Sequence, residues 1–252
     1  MQVKNLFAMI KHRLMRDTTY RTQEYWDAKA VSYKDRAASM WPNNHLNVLY
    51  ETEQFSFVNE CTGSIRGRDI LDLGCGTGRF SRYLAERGAN VHGVDFSSES
   101  IAIAQSLTDG DNPRYSQGSL FELDEHESYD LISTCAVLTM ALREKEEVRD
   151  VLSRIYKALK PEGQIILLEP LHRGFFHRVL SMNSSEFIEI VREVGFDVQK
   201  IQPLHFLPTR LLLSYYPFPK LFTKIHYEIG QQIMTYSPHK ISDYTGIFAT
   251  KK

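Results

Sequence analysis

The sequence of 252 residues predicts an α/β fold, a doubly wound sheet of mainly parallel strands with helices on both faces. Two observations predict it. Short apolar runs alternate with segments of helical periodicity through the middle of the chain. Several of these runs are apolar nearly throughout, which is typical of strands covered on both faces. The seven predicted strands are Ile70–Leu73, Asn90–Val94, Arg114–Gln117, Tyr129–Ser133, Gln164–Leu168, Phe196–Ile201 and Thr245–Thr250.

Two helices between the strands have recognisable boundaries. Apolar residues over 148–159 recur at helical spacing on one face, and Pro161 follows them. This pattern predicts a helix that ends before the next strand. Farther along, Asn183 with Glu186 three residues later predicts a capping box, and Gly195 predicts where the helix that begins there ends.

Two segments lie outside this alternation, and we interpret them as additions to a single domain over residues 1–252. The segment before the first strand predicts helices that form a lid. The segment between the last two strands is rich in aromatic and apolar residues. The predicted divisions are an N-terminal helical lid at 1–60, a core at 61–205, a hydrophobic cap insertion at 206–242 and the last strand at 243–252.

The composition disfavours several classes of protein. A hydrophobic fraction of 42% and a formal net charge of −1 are typical of a folded domain rather than a disordered chain. The same charge balance disfavours nucleic acid as the main partner, because phosphate contacts need surplus Lys and Arg. Three scattered cysteines cannot form a paired disulfide framework, and no apolar run is long enough for a membrane span or a signal peptide. We therefore predict a cytoplasmic protein.

A glycine-rich turn directly after the first predicted strand is the strongest pattern in the chain. Residues 69–80 spell DILDLGCGTGRF, in which three glycines separate the strand from a helix that begins near Arg79. Glycine lets the backbone approach a ligand closely, and a helix N-terminus favours a carboxylate or a phosphate. Asp95 follows Gly74 by 21 residues, where doubly wound folds place an acid that hydrogen-bonds ribose hydroxyls.

Three nucleoside-type ligands compete for such a turn. A phosphate-binding P-loop needs Gly-Lys followed by Ser or Thr, and the sequence has no such triplet. A dinucleotide fingerprint places its third glycine where Arg79 stands, and a long side chain there crowds the pyrophosphate. The ligand that remains carries an amino-acid carboxylate and a ribose, which is the shape of S-adenosylmethionine.

Six segments, in order along the chain, resemble motifs of one family, the class I S-adenosylmethionine-dependent methyltransferases. The segments are EYWDAKAVSY at 24–33, DLGCGTG at 72–78, GVDFS at 93–97, GSL at 118–120, SYDLIS at 128–133 and LKPEGQIILLEP at 159–170. Their order and spacing are far more specific than a lone glycine turn. The resemblance implies a Rossmann-like seven-stranded sheet with an antiparallel last strand, and S-adenosylmethionine as the cofactor.

The resemblance also implies which residues contact the cofactor. The glycine turn is expected to hold the amino-acid end, Asp95 the ribose, and residues 118–120 the adenine. Members of the family often have Asp where this chain has Ser119, so the backbone N–H of Leu120 is expected to do most of the work there. The implied cofactor-binding residues are Tyr33, Asp72, Gly74, Cys75, Gly76, Gly78, Asp95, Phe96, Ser119, Leu120 and Cys135.

Methyl transfer needs positioning more than acid–base machinery, because the cofactor carries the reactive group. A base helps only an acceptor that must lose a proton, and His172 is the candidate catalytic residue for a hydroxyl acceptor, with a surface histidine as the alternative. Glu169 could anchor a substrate or cap a neighbouring turn. We interpret Cys135 as a buried thiol rather than as a nucleophile. The segment after the fourth strand offers no acidic ligands, so no metal is expected.

Basic residues accompany apolar faces near both ends of the chain. Residues 1–16 hold four basic and no acidic residues beside an apolar face at helical spacing, and residues 206–240 combine basic residues with aromatics. These are the ingredients of a helix that lies on an anionic membrane. Segments that pack on the core and cover the site, or that line a channel for a greasy acceptor, have the same composition. Peripheral membrane contact is therefore one hypothesis among three.

The sequence favours a methyltransferase that acts on a small molecule, with oxygen the expected acceptor atom and carbon or nitrogen open. The cap favours an apolar acceptor, lipid-like or quinone-like, and a sugar or sugar-lipid is the competitor. Two other classes stay open: a cofactor-binding partner subunit without catalysis, and a nicotinamide-dependent oxidoreductase, which Arg79 disfavours.

Overall fold

A seven-stranded sheet forms the centre of the molecule in a computed structural model, which describes residues 20–32, 41–174, 177–236 and 241–252. The strand order is β3-β2-β1-β4-β5-β7-β6. The pairs among β1 to β5 are parallel, and β7 is antiparallel to both β5 and β6. The predicted fold class is confirmed. The strands are β1 Asp69–Leu73, β2 Asn90–Asp95, β3 Arg114–Gln117, β4 Tyr129–Cys135, β5 Leu159–Glu169, β6 Phe196–Phe206 and β7 Ser242–Lys251.

The largest differences from the predicted strands are in β5 and β6. β5 begins five residues early, because Leu159 already pairs with Tyr129 on β4. β6 continues to Phe206, which pairs with Ser242 on β7. In both cases the pairing partner sets the end of the strand, whereas an apolar pattern marks only its buried centre.

Helices cover both faces of this sheet. The helix with the predicted apolar stripe buries Val148, Val151 and Ile155 and ends at Ala158. The predicted capping box at Asn183 is present. The helices are α1 Gln23–Ser32, α2 Asn44–Thr62, α3 Arg79–Glu86, α4 Ser98–Ser106, α5 Leu138–Ala141, α6 Lys145–Ala158, α7 Ser184–Val194, α8 Leu207–Leu213 and α9 Lys220–Met234.

Two hydrophobic cores lie on opposite faces of the sheet, and β5 shows how one strand contributes to both. Ile165 and Leu167 join the core under α6 and α7, whereas Ile166 and Leu168 join the core under α2 and α3. Because successive side chains of a strand point to opposite faces, a strand covered on both faces is apolar at every position. This explains the continuous apolar runs in the sequence.

The predicted lid and cap meet where α9 packs on α2. α1 packs against α4, and α9 packs against α2 and β6. The predicted division into lid, core, cap and last strand stays a prediction. Residues 1–19 and 33–40, including the predicted basic segment and Tyr33, lie outside the described residues. Within the described ranges, no helix combines the length and apolar character that crossing a bilayer requires.

Candidate functional site

A cavity of about 310 Å³ lies at the carboxyl ends of β1, β2 and β4. Doubly wound sheets bind their ligands at this edge. One part, which we call the glycine-loop end, is lined by Gly74, Cys75, Gly76 and Asp95. The other part, which we call the aromatic end, is lined by Trp41, Tyr50, His205 and Tyr244.

The glycine loop needs glycine at two positions for different reasons. Gly74 has φ 76°, and a Cβ there would lie 2.2 Å from Cγ2 of Val137, so any side chain would collide with the loop after β4. Gly78 has φ 74° at the start of α3, and a Cβ would lie 2.4 Å from Oη of Tyr115. Gly78 does not line the cavity. Gly74 therefore shapes the cavity wall, and Gly78 shapes the turn behind it.

Asp95 connects the end of β2 to the glycine loop. Its Oδ2 accepts a hydrogen bond from the N–H of Gly76 at 2.8 Å, and its Oδ1 accepts one from the N–H of Ser97 at 2.9 Å. Burial raises the pKa of Asp95, and these two N–H donors oppose that rise. A carboxylate has about four acceptor positions, so Asp95 can also accept from both hydroxyls of a ribose. The residues of this end therefore fit S-adenosylmethionine.

Asp72 lies beneath the loop and is 2% exposed. Its carboxylate accepts hydrogen bonds from Oγ of Ser81 at 2.6 Å and from Oγ of Ser133 at 3.1 Å. Burial raises its pKa to about 6, although both serine donors lower it. These bonds tie β1 to α3 and β4, so Asp72 supports the floor of the cavity that it also lines.

Several other predicted residues line the same cavity. Oγ of Ser119 accepts a hydrogen bond from the N–H of Phe121 at 3.3 Å and caps a short 3₁₀ helix. Burial raises the pKa of Cys135 to about 12, so its thiol stays protonated at neutral pH, as a structural thiol does. The remaining predicted residues that line the cavity are Cys75, Phe96 and Leu120.

The two predicted substrate-side residues lie elsewhere. His172 does not line the cavity; its Nε2 donates to the carbonyl oxygen of Asp243 at 2.9 Å and lies 3.1 Å from Oδ1 of that residue. Asp243 pairs in turn with Arg210 at 2.7 Å. Glu169 accepts hydrogen bonds from the backbone N–H and the hydroxyl of Thr139 at 3.1 and 2.9 Å, and so caps the start of α5. Of the two roles considered for Glu169, capping a neighbouring turn or anchoring a substrate, the structure shows the capping contact.

The aromatic end contains residues that no sequence motif indicates. The rings of His205 and Tyr50 stack with centroids 3.9 Å apart and planes 5° apart, and the ring of Tyr244 lies 4.6 Å from that of His205. Arg79 enters from the glycine-loop side, where its Nη2 donates to Oε1 of Gln54 at 3.0 Å. Of these residues, only Arg79 could be expected at the site from the sequence, because it directly follows the glycine turn.

Helix α1 covers the cavity near Asp95. Oδ1 of Asp27 accepts hydrogen bonds from Oγ of Ser97 at 2.6 Å and from the N–H of Glu99 at 3.3 Å, so α1 is attached to the start of α4. Trp26 and Lys29 of α1 line the cavity. Burial and the nearby Arg178 lower the pKa of Lys29 to about 8.

Over the described part of the chain, no group of His, Cys, Asp and Glu side chains is placed to hold a metal ion.

Sequence comparisons identify a methyltransferase domain. The family profile of that description matches residues 70–163. The ubiquinone biosynthesis O-methyltransferase of Alkalilimnicola ehrlichii is 31% identical over 132 residues, which cover 44% of this chain and 52% of that protein. The chain spans about half the length of the curated relatives that it matches.

Solved structures show the same fold. An S-adenosylmethionine-dependent methyltransferase from Mesorhizobium loti matches with a TM-score of 0.60 and 16% identity, over 79% of this chain and 98% of that one. The [4+2]-cyclase SpnF matches with a TM-score of 0.58 and 17% identity, over 84% of this chain and 86% of that one. Because a cyclase shares the fold, the fold alone does not determine the reaction.

Proposed function

We propose that this chain, a class I S-adenosylmethionine-dependent methyltransferase by its domain and fold, transfers the methyl group of S-adenosylmethionine to a hydroxyl oxygen of a small, largely apolar acceptor. The main support is the geometry of the glycine-loop end. Gly74 lets the loop pack against Val137 and line the cavity in a backbone conformation that a side chain would block, and the carboxylate of Asp95 is held at the same loop by Gly76. An amino-acid tail and a ribose on one ligand require both features together.

The residues of the glycine-loop end bind and orient the cofactor in this proposal. Backbone N–H groups of the loop hold its carboxylate, Asp95 accepts from its ribose, and Ser119 with Leu120 contacts its adenine. The bound cofactor supplies a methyl group on a positively charged sulfur. Trp26 of α1 excludes water from the cavity that it lines, and the protein contributes mainly by holding the two reactants together.

The nature of the acceptor is inferred from the aromatic end. Aromatic rings from four residues line that part of the cavity and favour an apolar, quinone-like or lipid-like molecule over a sugar or sugar-lipid, which is the competing class. Oxygen is favoured as the acceptor atom because the similar Alkalilimnicola protein is an O-methyltransferase. Carbon and nitrogen acceptors are the alternatives.

Calorimetry with S-adenosylmethionine and with NADH tests the cofactor. We expect saturable binding of S-adenosylmethionine and none of NADH; the reverse result would identify a nicotinamide-dependent oxidoreductase. Release of S-adenosylhomocysteine in the presence of a panel of phenols, amines and sugars then tests catalysis. Cofactor binding without such release for any acceptor would identify a silent partner subunit instead.

A second proposal, peripheral membrane contact, is favoured by the outer face of α9. The inner face of this helix packs on α2 and β6. The outer face exposes apolar side chains at helical spacing, with Lys220 and Lys224 on the same helix. The buried residues of the helix are Thr223, Gly230 and Met234, so its outward face is the more apolar one and favours a further apolar partner. The exposed apolar residues are Leu221, Phe222, Ile225, Ile229 and Ile233.

A further inference from the structure

The aromatic end contains two buried polar atoms that the described residues leave unpaired. Oη of Tyr50 and Nδ1 of His205 have no hydrogen-bond partner among the residues that the structure describes. Both residues are 1% exposed, and both line the cavity. An unpaired buried polar atom costs about 1–3 kcal/mol, so native structures rarely leave one without a role. Two such atoms on stacked rings of residues that line one cavity leave both side chains able to pair with a ligand there.

The hydrogen bonds of His205 determine which ring nitrogen can accept a proton. Nε2 lies 3.3 Å from the carbonyl oxygen of Tyr50. A carbonyl oxygen only accepts, so Nε2 carries the hydrogen and Nδ1 carries the free lone pair. Burial, with smaller contributions from Arg79 and Arg210, lowers the pKa of His205 to about 4, so the ring is uncharged at neutral pH. Nδ1 is therefore available as an acceptor.

The backbone holds His205 in an uncommon conformation. Its φ is 59°, in the left-handed region, which non-glycine residues rarely adopt. Its N–H donates to Oε1 of Glu53 at 2.9 Å, and its ring lies between those of Tyr50 and Tyr244. Residues in such conformations persist where surrounding contacts hold them, and they concentrate at functional sites. The side chain is thus oriented from three sides.

We propose, on the basis of the proposed function, that His205 is the proton acceptor of the methyl transfer and that Tyr50 binds the acceptor molecule beside it. Nδ1 of His205 accepts a hydrogen bond from the hydroxyl that is methylated, and Oη of Tyr50 hydrogen-bonds a second oxygen of the same molecule. The aromatic walls favour a planar ring between these groups and the cofactor. The acceptor class is therefore an aromatic ring with two neighbouring oxygens.

The proposed step balances in atoms and charge. The hydroxyl oxygen forms a bond to the methyl carbon while the bond from that carbon to sulfur breaks, and the electron pair of the broken bond stays on sulfur. The proton of the hydroxyl moves to Nδ1 of His205. The positive charge thus passes from sulfur to the imidazole, which returns the proton to solvent after the products leave.

The experiment uses 4-tert-butylcatechol as the probe and 4-tert-butylbenzenethiol as its matched control. A thiol ionises without help far more readily than a phenol, so its methylation needs no base. We expect His205→Asn to lower kcat for the catechol by about 100-fold or more, within the usual range for a lost general base, and to change thiol methylation by less than about threefold. Asn is chosen because it adopts left-handed backbone readily.

Tyr50→Phe provides a second variant with a different expected effect. Loss of one hydrogen bond to a second oxygen is expected to raise KM, or the Kd of the catechol measured with S-adenosylhomocysteine bound, by about tenfold, with kcat nearly unchanged. His126→Gln, at an exposed position, is the control and is expected to behave as wild type. Urea unfolding of each variant checks that it is folded.

Several results would overturn the proposal. The first is a wild-type protein that fails to bind or to methylate the catechol. The second is a His205→Asn variant whose kcat for the catechol stays within about threefold of wild type, or one that loses catechol and thiol turnover in parallel. The third is a His205→Asn variant that does not fold, together with a Tyr50→Phe variant that binds the catechol normally. Selective loss in His172→Gln would assign the base to His172 instead. The proposed function fails separately, when the wild-type protein does not bind S-adenosylmethionine or releases S-adenosylhomocysteine with no acceptor.

Discussion

Asp95 shows how a single side chain can shape a site and also bind its ligand. Its two oxygens hold the N–H groups of Gly76 and Ser97, and these bonds set the distance between the glycine loop and the start of α4. We expect Asp95→Ala to weaken S-adenosylmethionine binding about 10–100-fold, since hydrogen bonds to a charged group contribute about 1.5–3 kcal/mol. Calorimetry measures the change, and Asp109→Ala at an exposed position is the control. Unchanged affinity would contradict the cofactor assignment.

Asp243 has a structural role. Its fully buried carboxylate lies 2.7 Å from Nε of Arg210 and 3.8 Å from Nη2 of Arg178. Burial alone would raise its pKa, but these two guanidinium groups and His172 together outweigh burial and hold the pKa below its usual value. Asp243 is therefore the counter-ion of a buried cationic cluster.

We expect Asp243→Asn to lower the free energy of unfolding by about 3–5 kcal/mol, because Arg210 would be left buried without its charge partner. Urea denaturation at neutral pH measures this loss. Asp111→Asn, at an exposed position, is the matched control and is expected to stay within about 0.5 kcal/mol of wild type. An Asp243→Asn protein as stable as the control would show that the pair with Arg210 contributes little.

Glu53 joins three elements, α2, β6 and α9. Its Oε1 accepts from the N–H of His205 at 2.9 Å, and its Oε2 accepts from Oη of Tyr227 and from Nε2 of Gln231, both at 3.1 Å. Burial raises the pKa of Glu53 to about 7, although the three donors lower it. The cap helix is thus attached to the aromatic end through a carboxyl group that titrates near neutral pH.

The raised pKa of Glu53 predicts a pH-dependent stability. A carboxyl group with a pKa raised on folding stabilises the fold fully below its unfolded pKa, and this contribution is lost as the pH rises through about 7. Relative to Glu53→Gln, we expect the wild-type free energy of unfolding to fall by about 1–3 kcal/mol between pH 5 and pH 8. Urea titrations at both pH values measure it. The exposed Glu86→Gln variant should keep the wild-type pH dependence, and the proposal is wrong if Glu53→Gln keeps it too.

Vesicle flotation tests whether the outer face of α9 contacts a membrane. Leu221 is 69% exposed and Ile225 is 48% exposed, and Lys224 lies between them. We expect wild-type protein to float with anionic vesicles of phosphatidylglycerol and phosphatidylcholine. Leu221→Ser with Ile225→Ser should abolish most of this flotation, because binding scales with the apolar area that enters the interface.

The controls separate this helix from other apolar surface. Leu107→Ser removes a side chain that is 50% exposed elsewhere and should leave flotation unchanged. Deletion of residues 1–16 tests the contribution of the basic N-terminal segment independently. Absence of wild-type flotation, or equal flotation by the double variant, would exclude α9 as a membrane contact.

The sheet and the glycine-loop end could be predicted from the sequence because their determinants are local. An apolar run, a turn with three glycines and an acid at the end of the next strand all lie within 27 residues, over 69–95. Parallel neighbours bring their carboxyl ends to one edge by topology alone. The sequence therefore located the ends of β1 and β2 to within one residue and predicted that Gly74 and Asp95 lie at the same edge of the sheet.

The residues of the aromatic end could not be predicted from the sequence, because only tertiary packing brings them together. Tyr50 and His205 are 155 positions apart and meet because β6 and β7 are added to the sheet beyond β5, which brings the end of β6 under α2. His172 and His205 both follow or end strands, so sequence alone could not distinguish them. Packing does, since it pairs His172 with Asp243 and leaves Nδ1 of His205 without a partner among the described residues. Local patterns specify strands and turns, but the environment of a side chain depends on which distant elements are packed around it.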